Sequence, residues 1–377
     1  PVIKALHKTE LVHLLCMPIM PVSPFREDEM GERVPEKAGR QFWRAGFFFV
    51  GLGLAAAFYG GFTLFAGNMP KDEAAALSVT ASPVLWNPED WEEKQTGKLR
   101  FIAGLELSTD NPDFGGLSGL WISPDGTALL AVTDQGNWLS ARPVHTGIAL
   151  SALEAVRLAP LRGPGGLPLE GKAMQDAEGL TLGGGLACVS FERVHRISCY
   201  TDEEGVIGPY AADMDIGGLK ETLPLNGGLE ALTILPGKET PPVLLAIGEK
   251  AGEDGAMPAA FLSAAGVKNA AIRGKEPFSI TDAAFTAKGD LILLERRYSP
   301  LSGVGLRLRR IKAGALNEEG PLAGEELLNV GQSYTIDNME GLAIRETAEG
   351  RLFLYLISDD NFSAAQRTLL LQFELIE

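Results

Sequence analysis

The chain has 377 residues, 45% of them hydrophobic and 22% charged, with a formal net charge of −16; this suffices for one large domain with a sizeable core plus an extension. Residues 1–70 carry 7 basic and 6 acidic groups, and the remainder carries 26 basic and 43 acidic ones. So acidic a body argues against nucleic acid as partner, because phosphate backbones need Lys and Arg in excess, and it suits hard cations such as calcium, which take oxygen ligands.

Taken in order, residues 1–46 hold Pro18, Pro21, Pro24 and Pro35 among mixed charges. No period is sustained, so a mostly disordered tail is expected. Phe47–Gly67 follows, 21 residues without a charge, long enough to cross a bilayer as a helix. Lys37, Arg40 and Arg44 precede it, while Asp72 and Glu73 follow beside Lys71. The positive-inside rule then leaves the tail cytoplasmic and the body periplasmic, on the outer side of the inner membrane. A cleaved signal peptide is the rival reading, although its apolar region is normally shorter. Residues 68–98 read as a linker and 99–377 as the folded domain.

Within 99–377 one unit recurs: an acid, a strand, a Gly-containing turn, a second strand, and another acid. It is clearest in Asp337–Asn361, and weaker in Gly116–Gly136, Asp176–Arg193, Gly228–Lys250 and Ser279–Arg297. The opening positions Ser118, Glu178, Glu230, Asp282 and Glu340 step by 60, 52, 52 and 58 residues. A strand-rich unit repeating at about 50 residues predicts an all-β propeller. Five four-stranded blades account for the domain, and a sixth is accommodated if Thr201–Leu229 or Gly314–Thr335 holds extra strands. Leu99–Leu107 and Thr368–Leu375 read as lone strands at the two ends. Placing the N-terminal strand in the last blade would close the ring without an open edge.

Three cysteines are present: Cys16, Cys188 and Cys199. A hairpin turning at Arg193–Val194 sets Cys188 opposite Cys199, within disulfide reach; one bulge in that hairpin would instead leave two separate buried thiols.

Four histidines, two of them in the tail, give little material for a Ser-His-Asp triad or a His-rich zinc site. No Walker loop or dinucleotide fingerprint appears. What remains is a periodic set of carboxylates. The first strand of each propeller blade lines the channel, so Glu178, Glu230, Asp282 and Glu340 are expected to meet at one mouth. Gathered like charges need a cation, protonation or Arg partners, and a divalent ion, calcium above all, is the functional reading. The structural alternative has each acid accept backbone N–H groups of its own blade. The closing positions Asp134, Glu192, Glu249, Glu295 and Asp359, with Arg193, Arg296, Arg297 and Asn361 beside them, form the expected substrate-binding set. Arg there suits a small anionic ligand such as a phosphoester; pairing between blades is the alternative.

The segments DAEGL, FERVHRI, SITDAAF, LLERRYSPLSG, DNMEGLA and ISDDNFSAAQRTLLLQFEL together resemble the phytase-like family named for "esterase-like activity of phytase", over residues 99–376. The resemblance implies an exported β-propeller related to the calcium-dependent phytases, with phosphoester hydrolysis as the suggested activity and a divalent cation, calcium above all, as the expected cofactor. A lactonase- or esterase-type propeller and a non-catalytic ligand-binding propeller at the cell surface are the alternatives.

Overall fold

Apolar runs such as Leu129–Thr133 and Leu244–Gly248 are buried on both faces, so they need cover on two sides rather than one. A ring of sheets packed face to face supplies it. The computed structural model describes residues 74–376, apart from 204, 225–226, 238–240, 251 and 253–254. These residues form an all-β propeller of five blades. From the channel outward, blade 1 holds Leu117–Ile122, Leu129–Thr133, Asn137–Thr146 and Ala149–Pro160. Blade 2 holds Ala177–Gly183, Leu186–Phe191, Arg196–Asp202 and Ile207–Met214. Blade 3 holds Leu229–Ile234, Leu244–Gly248, Ala256–Ser263 and Gly266–Arg273. Blade 4 holds Ser279–Phe285, Leu291–Ser299, Gly303–Ile311 and Glu325–Gly331.

Blade 5 is assembled from both ends of the domain. Asn338–Glu346, Leu352–Asp359 and Thr368–Leu375 supply its inner strands. Leu99–Ser108 takes the fourth place, with Leu105 opposite Leu370 and Leu99 opposite Leu375. This is the ring closure expected from the sequence, and no sixth blade forms among the described residues.

The stretch read as a linker joins the sheets from residue 75 on. Ala75–Ala76 adds to the outside of blade 1 and Thr80–Pro83 to the outside of blade 5. Trp86 is buried against Phe101, Tyr334 and Phe373. That aromatic burial, not local propensity, holds the segment in place. The Phe47–Gly67 span lies outside the described residues; among those described, no helix is long and apolar enough to cross a membrane.

The core is divided into five apolar clusters, one at each blade-to-blade contact. Leu129 and Ala131 face blade 5 while Leu130 and Val132 face blade 2, the period-2 alternation of one strand serving two cores. Each buried Leu or Val contributes about 1.5–3 kcal/mol relative to exposure.

In blade 2, Cys188 stands directly opposite Cys199 and the two are bonded, with Cα atoms 4.1 Å apart. Arg193 takes a left-handed φ of 52° in the tight turn that sets this register. We expect alkylation of the denatured, unreduced protein to modify Cys16 and to leave Cys188 and Cys199 unmodified until a reductant is added. Labelling of all three without reductant would show that the bond is absent. Because the closed loop is short, reduction should cost no more than about 3 kcal/mol of stability.

Candidate functional site at the channel mouth

Each innermost strand begins where its neighbouring strand ends, so both sets of acids lie at one mouth of the channel. At that end all five innermost strands carry one residue more than their partners. The register slips between Leu117 and Leu120, Ala177 and Leu180, Leu229 and Ala231, Ile280 and Asp282, and Met339 and Gly341. Such bulges re-aim a side chain and are frequent beside functional sites. In blades 3 and 5 the inserted residue is Glu230 or Glu340, and in blade 2 Glu178 falls within the slip. In blade 4 it is Thr281, which donates to the Met339 carbonyl at 3.0 Å.

Asp282 therefore occupies the next position around the bulge and is not equivalent to the three glutamates. The same place is Gly119, Gly179 and Gly341 in blades 1, 2 and 5. A Cβ on Gly119 would lie 2.4 Å from the Leu180 nitrogen, and one on Gly341 would lie 2.1 Å from the Ser118 carbonyl oxygen. This position packs against the backbone of the next blade. Asp282 uses it to accept the Leu342 N–H at 2.6 Å and its neighbour Ala283's N–H at 2.8 Å. Its role is to join blades 4 and 5.

Glu178, Glu230 and Glu340 share the mouth and feel one another's charge; the carboxylates whose oxygens come together most closely among the described residues are Asp176, Glu178 and Glu192. Burial pushes Glu178 well above the ordinary carboxylate range, helped by the charges of Glu340, Asp176, Glu192 and Asp134. Burial does the same to Glu230, with Glu178, Glu249, Glu340 and Glu192 adding to it. Blades 2 and 3 do not adjoin blade 5, so the repulsions from Glu340 act across the channel, while the others act within a blade or between neighbours. Glu340 is pushed up to about 8 by burial, against the opposing pull of Arg296. Asp359 rises to about 7, again through burial first, with the Asn361 N–H opposing the rise and Asp134 and Asp360 adding to it.

Arg296 is the cation facing this group. It lies 3.2 Å from Glu340 and 3.7 Å from Glu249. Burial disfavours its charge, but Glu340, Glu249, Glu230 and Asp359 overcome that and hold it protonated. Its Nε is buried without a hydrogen-bond partner.

The remaining expected residues divide. Glu192 accepts the N–H groups of Gly227 and Gly228, the latter at 3.2 Å. One oxygen each from Asp176, Glu178 and Glu192 lies within 4.8 Å of the others. Arg193 lies beside Asp176 at 2.5 Å, and Lys172 bridges Asp176 and Asp134 at 2.5 and 2.7 Å. Asn361 contributes its backbone N–H to Asp359 at 2.6 Å. Glu295 is not at the mouth surface. It is fully buried within blade 4, clamped by Arg307 at 2.5 Å and by Arg309 at 2.8 and 2.5 Å. Arg297 donates to Ser302 at 2.7 Å and lies over Phe278.

A fit to a divalent cation can be judged from these residues. The donors are all oxygens; Arg296, Lys172 and Arg193 relieve part of their mutual repulsion, and Asp134 Oδ1 is buried with no hydrogen-bond partner. Hard cations of the calcium type match that set.

The family model "Phytase-like: Esterase-like activity of phytase" matches residues 112–362. The chain belongs to the phytase-like family. No curated protein matches the sequence. Many solved structures are similar in fold, among them the following two. A PQQ-bound aldose sugar dehydrogenase from Streptomyces coelicolor is 12% identical, with 80% of this chain and 99% of that one covered and a TM-score of 0.39. A glutaminyl cyclase from Myxococcus xanthus is 11% identical, with 75% and 100% covered and a TM-score of 0.41. Likeness this distant carries no argument about the reaction of a phytase-like chain.

Sequence reasoning did not place Asp176, Lys172, Thr281 or His195 in the site. Asp176 and Asn338 each stand two residues before a bulge glutamate, and Asn338 donates to Glu340 at 2.9 Å. The matching residues in blades 1 and 3 are Gly116 and Gly228. A Cβ on Gly116 would lie 2.2 Å from Asp134 Oδ1, and one on Gly228 would lie 2.3 Å from His195 Cε1. Glycine there lets Asp134 and His195 lean inward from the second strand's end. Aligning the units on the residue before the shared Leu or Ala, rather than on the acid, would have exposed both patterns.

The raised carboxylates make a definite pH prediction. Native Glu340 and Asp359 hold protons that the unfolded chain releases near its ordinary carboxylate values, so their stabilisation is complete below about pH 4 and is lost as pH rises through about 7–8. The melting temperature of metal-stripped protein should therefore fall between about pH 5 and about pH 8.5. Saturating calcium should flatten that fall, and Glu340→Gln should shrink it. A melting temperature that stays level or climbs over this range would contradict the assignment.

Proposed function

We propose that the phytase-like propeller is a divalent-cation-dependent hydrolase of a small anionic ester, with a phosphoester as the best-matched substrate. One observation carries this reading: bulge glutamates of three blades stand at one mouth, where Asp176, Glu178 and Glu192 bring carboxylate oxygens within 4.8 Å of one another and Arg296 pairs with Glu340. Leaving such charges unpaired is costly, and a purely structural ring would not need them aimed at a shared space.

Asp176, Glu178 and Glu192 would hold the cation, with Glu230, Glu340 and Asp134 supplying further carboxylates around it. When bound, a divalent ion supplies Lewis-acid polarisation of an ester or phosphoryl oxygen. Arg296 orients the anionic group of the substrate, for which a planar guanidinium is suited. Its unpartnered Nε supplies a donor for that purpose. Asp359, raised to about 7, is poised to take and return a proton near neutral pH, where general acid–base groups work best. The protein around the mouth, from the Gly227–Gly228 turn to Asp282, keeps these groups in fixed relative positions.

The test is an assay panel of phosphate monoesters, phosphate diesters and lactones, each with calcium and with a chelator. Turnover of a phosphoester that the chelator abolishes is expected. Asp359→Asn should lower kcat by about 10²–10⁴-fold while leaving cation affinity near that of the parent. Turnover confined to lactones would move the reading to an esterase-type propeller. No turnover on any substrate, with cation binding intact, would overturn the enzymatic reading.

A further inference from the structure

Ten large apolar side chains are exposed among the described residues, and six of them stand on the mouth face: Leu167, Met174, Val194, Tyr298, Leu301 and Phe362. Leu167 and Met174 lie between Pro160, where blade 1 ends at the mouth, and Ala177, where blade 2 begins. Val194 lies in the hairpin after Phe191, Tyr298 and Leu301 at the hairpin after Leu291–Ser299, and Phe362 just past Asp359. Ile148 and Val206 occupy hairpins at the opposite face. Leu301 is 97% exposed and Tyr298 69%. Scattered singly, such residues need no explanation; arranged around the rim of one opening on four blades, they mark an interaction surface.

The path of the chain says what that surface meets. Ala75 pairs with Leu158 and Ala76 with Arg157, antiparallel to a strand that ends at the mouth with Pro160. Ala75 is thus nearer the mouth than Ala76, and the chain reaches the propeller from the mouth side. Seven residues, 68–74, separate the end of the uncharged sequence Phe47–Gly67 from Ala75. An extended connection of that length reaches at most about 25 Å. Charge agrees as well: inside the apolar rim lies the acidic mouth, complementary to the ammonium groups that form the outermost layer of a zwitterionic lipid surface.

We infer that the mouth face docks on a lipid bilayer, the rim side chains entering the interface and the acidic opening facing the head groups. The site's ligands would then arrive from the membrane surface rather than from bulk solution.

The full chain with Cys16→Ser, its Cys188–Cys199 bond intact, offers no other thiol. An environment-sensitive fluorophore is placed at Leu301→Cys, at Tyr298→Cys as a second rim position, or at Val206→Cys on the opposite face. Each protein is reconstituted in vesicles of phosphatidylethanolamine and phosphatidylcholine, with or without bromine on the acyl chains, without added cation or substrate. The probes at 301 and 298 should lose most of their emission to the brominated lipid, and the probe at 206 should keep its emission. Rim probes that keep their emission, equal quenching at 206, or failure of the chain to associate with vesicles would overturn the inference. None of these readouts depends on hydrolysis or on the cation, so the outcome is separable from that of the proposed activity.

Discussion

One inserted residue at the mouth end of each innermost strand governs the site. Without the insertion, the period-2 alternation of a strand would fix each side chain toward one neighbouring blade or the other. The bulge frees one position per blade from that alternation, and the five positions are Ser118, Glu178, Glu230, Thr281 and Glu340, of which Thr281 gives its hydroxyl to the Met339 carbonyl of the next blade. Three are carboxylates and two are hydroxyls, an asymmetric set of oxygens. Asymmetry matters, because a ring of five acids would be too repulsive to assemble, whereas three leave room for Arg296 and a ligand.

The rest of the fold serves that convergence. Ring closure by Leu99–Ser108 on Thr368–Leu375 fixes blade 5 against blade 1, so Glu340 cannot drift from Glu178. Asp282 ties blade 4 to the Leu342 backbone of blade 5, and glycines at the equivalent places elsewhere let neighbouring strands approach closely. The Glu295–Arg307–Arg309 cluster, buried in blade 4, is satisfied internally. Breaking such a cluster by removing one member typically costs about 3–5 kcal/mol, which marks it as structural support beneath Arg296 rather than part of the opening.

Much of this was legible in the residues. Repeat spacing and Gly turns exposed the propeller, and the two lone terminal strands exposed its closure. The symmetric placement of Cys188 and Cys199 about their turn exposed the disulfide, because a two-stranded register is simple arithmetic. The site was harder to read for a physical reason. A bulge adds one residue without any mark in composition, so Asp282, the visible acid in SITDAAF, was assigned the place that Thr281 holds. Glu295 and Arg297 looked like Glu249 with Lys250 and Glu192 with Arg193, yet the two Arg partners on the next strand draw Glu295 inward. Segment 75–98 looked like a linker because its anchoring contacts, Trp86 with Phe373 above all, are far apart in sequence.

The bulge account is tested most directly by cation-linked stability in protein stripped of metal. Calcium should raise the melting temperature, with a stabilisation of about 2.7 kcal/mol at a hundredfold excess over the dissociation constant. Glu230→Gln should abolish most of that rise, because Glu230 faces the shared space. Asp282→Asn should keep it, because an amide oxygen can still accept the Leu342 N–H. A melting temperature unmoved by calcium, magnesium and manganese, or an equal loss of the rise in both variants, would contradict the account.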